Sequence, residues 1–312
     1  MGAGAGLFAE LPQQLVNGLT LGSVYALIAL GYSMVYGTLE MLNFAHGEVF
    51  MVGAFIGWGV MAALLSNGVL IVGPVVALLL MMLAAMVGTG VLGAGIEWLA
   101  YRPLRRAQRL APLLTALGVS ILLQNVFMLL TSGRAQVYDT QALVPAGWTW
   151  TAGGITLSFT RALIIGVAIL LMFGLERLIQ GTRLGLHMRA TAEDSETAAL
   201  MGIRPNFVIS ATFVIGSALA GAAGVLVGLY YMQIDFLMGF TAGMKAFTAA
   251  VLGGIGNVRG AMLGGLLLGL VEALGVAFIS PLYKDALSLA VLILVLLVRP
   301  TGLLGERVPD RA

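Results

Sequence analysis

Charged side chains make up only 10% of the 312 residues, so the few that fall within apolar stretches are the first candidates for chemistry. Glu40, His46, Glu48, Lys245 and Glu272 are of this kind. An ionised group near mid-membrane costs about 2.5–3.5 kcal/mol on insertion scales, and a residue kept at that cost faces a polar path or a partner of opposite charge. Asn43, His46 and Glu48 are expected to line or gate such a path, with Lys245 opposite them in the other half of the chain. For Glu40 and Glu48 the plainer alternative is capping of half-helices at a membrane surface. Glu272, central in an apolar run, fits pairing with a neighbouring helix as well as contact with a solute.

Other chemistries find no residues to carry them. The only two lysines are Lys245 and Lys284, and neither ends a Gly-x-x-x-x-Gly-Lys phosphate loop. Gly253-Gly-Ile-Gly lacks the strand-to-helix setting of a dinucleotide site and reads as a helix breaker or packing surface. Zero cysteines exclude disulfides and thiolate metal sites. His46 and His187 fall on different levels, so neither a metal site nor a cofactor is expected, and no set of catalytic residues assembles. The net charge of +2 is spread over junctions rather than one face, which argues against nucleic acid. Uphill movement of a solute would need energy from elsewhere.

One long run reads like a soluble protein: Gly181 to Asn206, with Arg183, His187, Arg189, Glu193, Asp194, Glu196 and Arg204. Thr191 or Asp194 can cap a short helix, the acids sit where the helix dipole favours them, and Gly202 can stop it before Pro205. Ala198, Ala199 and Met201 would give it a small apolar patch. A helix of one or two turns does not hold itself together in water. It needs a partner surface, unless the run is merely a solvated connection.

The remainder positions these groups. Hydrophobic residues at 60% and a mean hydropathy of +1.01 define a polytopic membrane protein embedded in a lipid bilayer. Runs able to cross about 30 Å of hydrocarbon lie near 12–36, 47–66, 69–99, 112–131, 160–180, 206–231, 260–279 and 285–299, with a shorter ninth near 241–257. The expected fold is an all-α polytopic bundle of about eight or nine transmembrane helices, forming a single domain over 1–312. Its first part is 12–180, with an extracytoplasmic loop at 132–160 that reads as a small β-hairpin. A polar loop at 181–205, a second part at 206–299 and a tail at 300–312 follow.

Arginines at 102, 105, 106 and 109, around the island, and at 299, 307 and 311 put those segments in the cytoplasm and the N-terminus outside. The opening Met-Gly-Ala-Gly-Ala-Gly lacks a basic segment, so a cleaved signal peptide is not expected. Glu97 and Trp98 read as interface anchors. Two interrupted segments, Tyr36–Glu48 and Met232–Lys245, occupy corresponding places in oppositely oriented halves, as expected of an inverted repeat with interrupted helices. Small-xxx-small pairs such as Gly18 and Gly22, Gly53 and Gly57, and Gly265 and Gly269 mark close helix contacts.

Several stretches together resemble the LivH-type permease subunit of branched-chain amino acid ABC importers over nearly the whole chain. They are Asn17–Gly31, Leu42-Asn-Phe-Ala-His-Gly-Glu48, Tyr101-Arg-Pro-Leu-Arg105, Gly185–Asp194, Ala249–Gly256 and Arg299-Pro-Thr-Gly-Leu-Leu-Gly305. The resemblance implies a transport subunit of the bacterial cytoplasmic (inner) membrane and not an enzyme. Its implied partners are a second permease subunit (LivM-like or a copy of itself), two cytoplasmic ABC ATPase subunits and a periplasmic substrate-binding protein. The 181–205 loop would dock on an ATPase through Arg189, Glu193, Asp194, Glu196, Ala198, Ala199 and Gly202. Glu196-Thr-Ala-Ala-Leu-Met-Gly202 matches the Glu-Ala-Ala loop of ABC permeases loosely, with Thr197 interposed and two residues before the glycine. Transport would follow a path between the two permease subunits. Relatives that serve urea, short amides or other amino acids, and a self-sufficient secondary transporter or channel, are the alternatives.

This topology is tested by single cysteines. Arg105→Cys, Ala192→Cys and Arg307→Cys should react with impermeant maleimide only from the cytoplasm, and Gly147→Cys only from outside. External labelling at position 192 would invert the scheme.

Overall fold

The computed structural model describes residues 3–66, 73–105, 107–108, 110–143, 148–152 and 155–305. Arg106, Arg109, Arg307, Arg311, residues 69–72 of the third apolar run and the 145–147 segment of the expected loop lie outside these. Helix α1 (Ala3–Leu39) is followed by α2 (His46–Ser66) and α3 (Pro74–Ile96), which continues through a π turn at Glu97–Tyr101 and a 3-10 turn at Arg102–Leu104. Then come α4 (Leu110–Leu130), β1 (Gln136–Val137), α5 (Thr140–Leu143), β2 (Thr149–Ala152), β3 (Ile155–Ser158) and α6 (Phe159–Gly181). The island holds α7 (Arg183–Glu193) and α8 (Ser195–Leu200), and the second part α9 (Pro205–Tyr231), β4 (Gln233–Ile234), α10 (Met238–Gly253), α11 (Val258–Phe278) and α12 (Lys284–Val298).

Among the described residues eight helices are long and apolar enough to cross a membrane: α1, α2, α3 with its extension, α4, α6, α9, α11, and α12 with the turn before it. The shorter run expected at 241–257 is α10, whose 16 residues reach about 24 Å at 1.5 Å per residue. Its start follows β4, while its end is bonded to the chain after α12, where Leu303 N donates to Leu252 O at 2.9 Å and Leu304 N to Gly253 O at 2.9 Å. α10 therefore joins two faces of the bundle, a hairpin face and an island face.

The two interrupted segments have the same construction. α1 ends at Glu40 (φ 53°) and α9 at Met232 (φ 57°), both left-handed without being glycine. Asn43 Oδ1 then accepts Ala45 N at 3.1 Å, and Asp235 Oδ1 accepts Leu237 N at 2.7 Å. α2 and α10 start at the same offset after each turn, and Phe44, Gly47 and Phe236, Gly239 correspond. The first helix of each unit packs along the third of the other, α1 on α11 and α9 on α3, while α2 packs on α9 and α10 on α1. α1 and α9 form the core and α4, α6 and α12 the periphery.

Glycines permit this exchange of partners. A Cβ added to Gly22 would lie 2.8 Å from Leu266 Cα, and one on Gly18 2.8 Å from Leu270 Cα, so α1 and α11 touch backbone to backbone. The second helices meet the same way, since a Cβ on Gly47 would come within 2.9 Å of Gly243 Cα.

On the hairpin face, β2 and β3 pair antiparallel with Thr149 opposite Ser158 and Ala152 opposite Ile155. The expected hairpin is thus present, and Thr156 N donates to Gln13 Oε1 at 2.7 Å, tying it to the start of α1. A second ladder, β1 with β4, was not foreseen. It lashes the loop after α4 to the α9–α10 connection, and the fully buried Tyr138 donates its hydroxyl to Ala54 O at 2.8 Å.

Gly22→Ala should displace α11 backbone and destabilise the protein by about 1–3 kcal/mol, the usual cost of overpacking. Gly166→Ala, where an added Cβ meets nothing within 4 Å, should be neutral or gain up to about 1 kcal/mol from helix propensity. The thermal midpoint of the detergent-purified protein, read by intrinsic fluorescence, checks both.

Candidate functional site: a charged cavity between the inverted units

A cavity of about 670 Å³ lies on the seam between the units. Leu21, Val24, Tyr25 and Ile28 of α1, Phe50 of α2, Val227 and Tyr231 of α9, and Met238, Thr241, Ala242 and Lys245 of α10 wall it. Gln233, Asp235 and Leu237, in the connection that carries β4, and Lys284 at the start of α12 complete the lining. Gln233 and Leu237 are exposed, so the opening is on the hairpin face.

Both lysines of the chain converge here on one carboxylate. Lys245 Nζ is 2.9 Å and Lys284 Nζ 2.6 Å from Glu272 Oε1, and the Tyr25 hydroxyl donates to the same oxygen at 3.2 Å. Lys245 Nζ also reaches Asp285 Oδ1 at 2.8 Å. Lys284 donates to the Tyr231 hydroxyl at 3.4 Å, and each ammonium lies 5.8 Å from a tyrosine ring centre, Lys245 over Tyr25 and Lys284 over Tyr231. Two cations thus balance two anions. Glu272 is wholly buried, whereas the Asp285 side chain is 72% exposed. Stripping an ion pair of water is expensive, and the cost is recovered only with close geometry and further hydrogen bonds. Glu272 Oε1 meets that condition with three donors.

Asn43, His46 and Glu48 gather deeper. Tyr101 donates to Asn43 Oδ1 at 3.1 Å, fixing the turn that starts α2. His46 is buried edge-on against Tyr32, ring centres 4.9 Å apart, in the space left by the missing side chain of Gly31. Phe247 stands 6.2 Å from Tyr32 and 5.9 Å from Phe44. Glu48 Oε1 accepts from Gln124 Nε2 at 2.8 Å and from Ser120 Oγ at 3.3 Å, both on α4. Among the described residues His46 Nε2, Glu48 Oε2 and, in the charged cluster, Glu272 Oε2 have no hydrogen-bond partner. None of Asn43, His46, Glu48 and the residues gathered with them lines the cavity; those on α1 and α10 follow Ile28 and Lys245 along the helices that wall it, and the layer they make is called the floor. Lys245 does not face them. Its ammonium is held in the wall by Glu272 and Asp285, so the four expected path residues divide into a wall and a floor. Glu40 instead follows α1 and is exposed on the island face.

The island contains two helices where one was expected. Thr182 Oγ1 caps α7 by accepting Gly185 N at 3.2 Å. Thr191 caps nothing; it lies within α7, buried. Glu193 closes α7, and Asp194 caps α8, its Oδ1 accepting Glu196 N at 2.9 Å and Thr197 N at 3.1 Å. The Thr197 hydroxyl, donating to Oδ2 at 2.5 Å, together with these amides holds the Asp194 carboxyl below the usual range. Gly202, at φ 86°, ends the helix and lets Ile203 N return to Ala198 O at 3.1 Å. Ala198 is buried and Ala199 exposed. Leu200 and Met201 project with 87% and 80% exposure. Arg189 donates to the Ile179 carbonyl and ties α7 to the end of α6.

Glu97 corrects its expected role. Trp98 is exposed like an anchor, but Glu97 is buried and paired with Arg105. Ser210 donates to Glu97 Oε2 at 2.6 Å and Arg105 to Asn206 Oδ1 at 2.6 Å. The end of the island and the first turns of α9 are thereby clasped to the end of α3.

Membrane-crossing helices folded as two inverted units around a largely apolar cavity that carries two lysines define a solute-conducting membrane protein. The chain belongs to the family described as branched-chain amino acid transport system / permease component, whose model matches residues 14–296. It is 50% identical over 301 residues to the high-affinity branched-chain amino acid transport system permease protein BraD of Pseudomonas aeruginosa, covering 94% of this chain and 95% of that protein. It is 48% identical over 308 residues to the permease protein LivH of the corresponding Escherichia coli K12 system, covering 96% and 97%. A fructose import permease protein, FruF of Bifidobacterium longum, is 27% identical over 282 residues, covering 89% of this chain and 71% of that protein. No solved structure matches the chain. It is a multi-pass membrane transport component, not an enzyme.

The folded carboxyl of Asp194 lies below its unfolded value, so its capping contribution is present above the ordinary carboxylate pKa and is lost as pH falls through the lowered folded value. Amide hydrogen exchange across 195–201, corrected for intrinsic rate, should accelerate over that acid window. Asp194→Ala should show the fast exchange already at neutral pH, and Asp194→Asn, which keeps the acceptor, should not.

Proposed function

We propose that this chain is a permease subunit of an ATP-binding-cassette importer that moves branched-chain amino acids inward across the cytoplasmic membrane. The island face is cytoplasmic and the hairpin face extracytoplasmic, consistent with the arginines at 102, 105, 189, 204 and 299. Two cytoplasmic ATPase subunits, a second permease subunit and a periplasmic binding protein complete the importer. The high-affinity systems named for the relatives at 48–50% identity support the substrate class.

The observation that carries the reading is α8. It is a six-residue helix capped at both ends, offering Leu200 and Met201 to water on the face away from the cavity mouth. Exposed apolar side chains on so short a helix are stable when a partner's groove covers them. Arg189, Glu193, Asp194, Glu196, Ala198, Ala199 and Gly202 build this docking element. Ala198 and Gly202 shape it, Asp194 and Arg189 hold it, and Glu193, Glu196 and Ala199 meet the ATPase.

The path runs through this chain's own seam. Solute released by the binding protein enters the cavity from outside, and Lys245 in the wall marks its polar side. The floor of Tyr32, Phe44, His46 and Phe247, supported by Asn43 and Glu48, bars the way inward. Closure of the ATPase dimer moves α8, the Glu97–Arg105 clasp carries that movement to α3 and α9, and the units rock so that the floor opens while the mouth closes.

Ala199→Glu should leave insertion and cavity intact, because position 199 is exposed, yet abolish ATP-driven leucine uptake and release the ATPase subunits during purification in mild detergent. Uptake at the normal rate would overturn the docking role. Leucine uptake by the chain alone, driven by an ion gradient, would replace the importer by a self-sufficient transporter.

A further inference from the structure

The import reading says what enters the cavity but not how it is held, and the charged wall supplies an answer that rests on that reading. We propose that Lys245 and Lys284 form a carboxylate subsite in the cavity, and that Asp285 occupies it in the empty protein as an internal stand-in for the carboxylate of the solute.

The two anions of the cluster have different situations. Glu272 is wholly buried and takes three donors on one oxygen. It neutralises and positions the lysines and has no route to water. Asp285 is 72% exposed and bonds to Lys245 through Oδ1 at 2.8 Å. It can turn into solvent without leaving a desolvated charge behind. Both ammonium-bearing side chains line the cavity, whereas neither Glu272 nor Asp285 does. A carboxylate arriving from the cavity therefore meets the cations directly. Replacing Asp285 on Lys245 with the solute's carboxylate keeps an anion against that buried cation, so exchange avoids the penalty of an uncompensated buried charge, and the released, largely exposed Asp285 is the anion left to face the ammonium of an amino acid.

The rest of the lining suits the remainder of such a molecule. Leu21, Val24, Ile28, Phe50 and Val227 offer an apolar wall. A small apolar solute bearing one carboxylate would present its chain to this wall and its charge to the lysines. Its affinity would be modest, because Asp285 competes for the same cation.

The test uses the absence of native cysteine. Thr241→Cys puts a reporter in the cavity wall of the assembled importer, in nanodiscs without binding protein, and maleimide labelling is timed with L-leucine or L-leucinol present at millimolar concentration. Leucine should slow labelling at least threefold and leucinol, which lacks the carboxylate, should not. In the reporter background Lys245→Met should abolish the protection, Lys245→Arg should restore part of it, and Asp285→Asn should lower the leucine concentration needed severalfold. Equal protection by both compounds, none by leucine, or weaker protection in Asp285→Asn would overturn the subsite, and the first two outcomes need no variant of the cluster. Leucine uptake by the unmutated importer, supplied with binding protein, reports separately. Absent uptake with leucine protection intact would overturn the transport reading and leave the subsite standing.

Discussion

The exchange of helices between the two units depends on backbones approaching within van der Waals distance. In a lipid environment an apolar side chain gains little by leaving the acyl chains for another helix, so association rests on dispersion and close fit. Gly18 and Gly22 against α11, and Gly47 against Gly243, provide that fit. Because α1 is completed by α11 and α9 by α3, neither unit has a core of its own. The seam runs through the middle of the chain, and the cavity is the part of the seam that side chains leave open.

The same arrangement explains how broken helices are tolerated. Ending α1 and α9 at these turns frees backbone donors and acceptors that need new partners. Asn43 and Asp235 answer this locally, each accepting the amide two residues ahead, before the next helix takes over. On the island face the Arg299–Gly305 segment does comparable work, its backbone bonding Leu252 and Gly253 at the end of α10 while Asn257 Nδ2 donates to Leu304 O at 2.9 Å. A sequence feature that first reads as a family mark is thus the closure of a helix terminus.

What could be read from the sequence was whatever has a one-dimensional signature. Apolar length gave the spans, arginine placement the two faces, glycine spacing the tight contacts, and the polarity of 181–206 the island. Rotation about helix axes has no such signature. Lys284 and Asp285 open an apolar run and so pass for interface residues, and Glu97 beside Trp98 passes for an anchor. Only packing reveals that both lysines share Glu272 and that Glu97 is clasped by Arg105. The β1–β4 ladder is two residues long on each strand, below what alternation can signal. The inverted units did leave a trace, since Asn43-Phe44 and Asp235-Phe236 precede Gly47 and Gly239 at equal spacing. With so few matching letters, the turn geometry makes that correspondence legible.

Wall and floor differ in electrostatic character. In the wall, two cations meet two anions, Asp285 largely in water, and the buried Glu272 concentrates three donors on Oε1 while its Oε2 has no partner among the described residues. In the floor, Glu48 offers one oxygen to α4 and keeps the other without a partner among the described residues, as does His46 Nε2, although both residues are buried. An unsatisfied buried acceptor is costly, and Glu272 Oε2 in the wall carries the same cost; the difference is that, among the described residues, the floor holds no ion pair whereas the wall is built on them. A floor held shut mainly by ring contacts among Tyr32, Phe44, His46 and Phe247 can part without breaking an ion pair. The wall cannot, since opening it would strip Glu272 of its donors. Rocking of the two units therefore has a low-cost place to separate in the floor, and a wall that stays assembled while it does so.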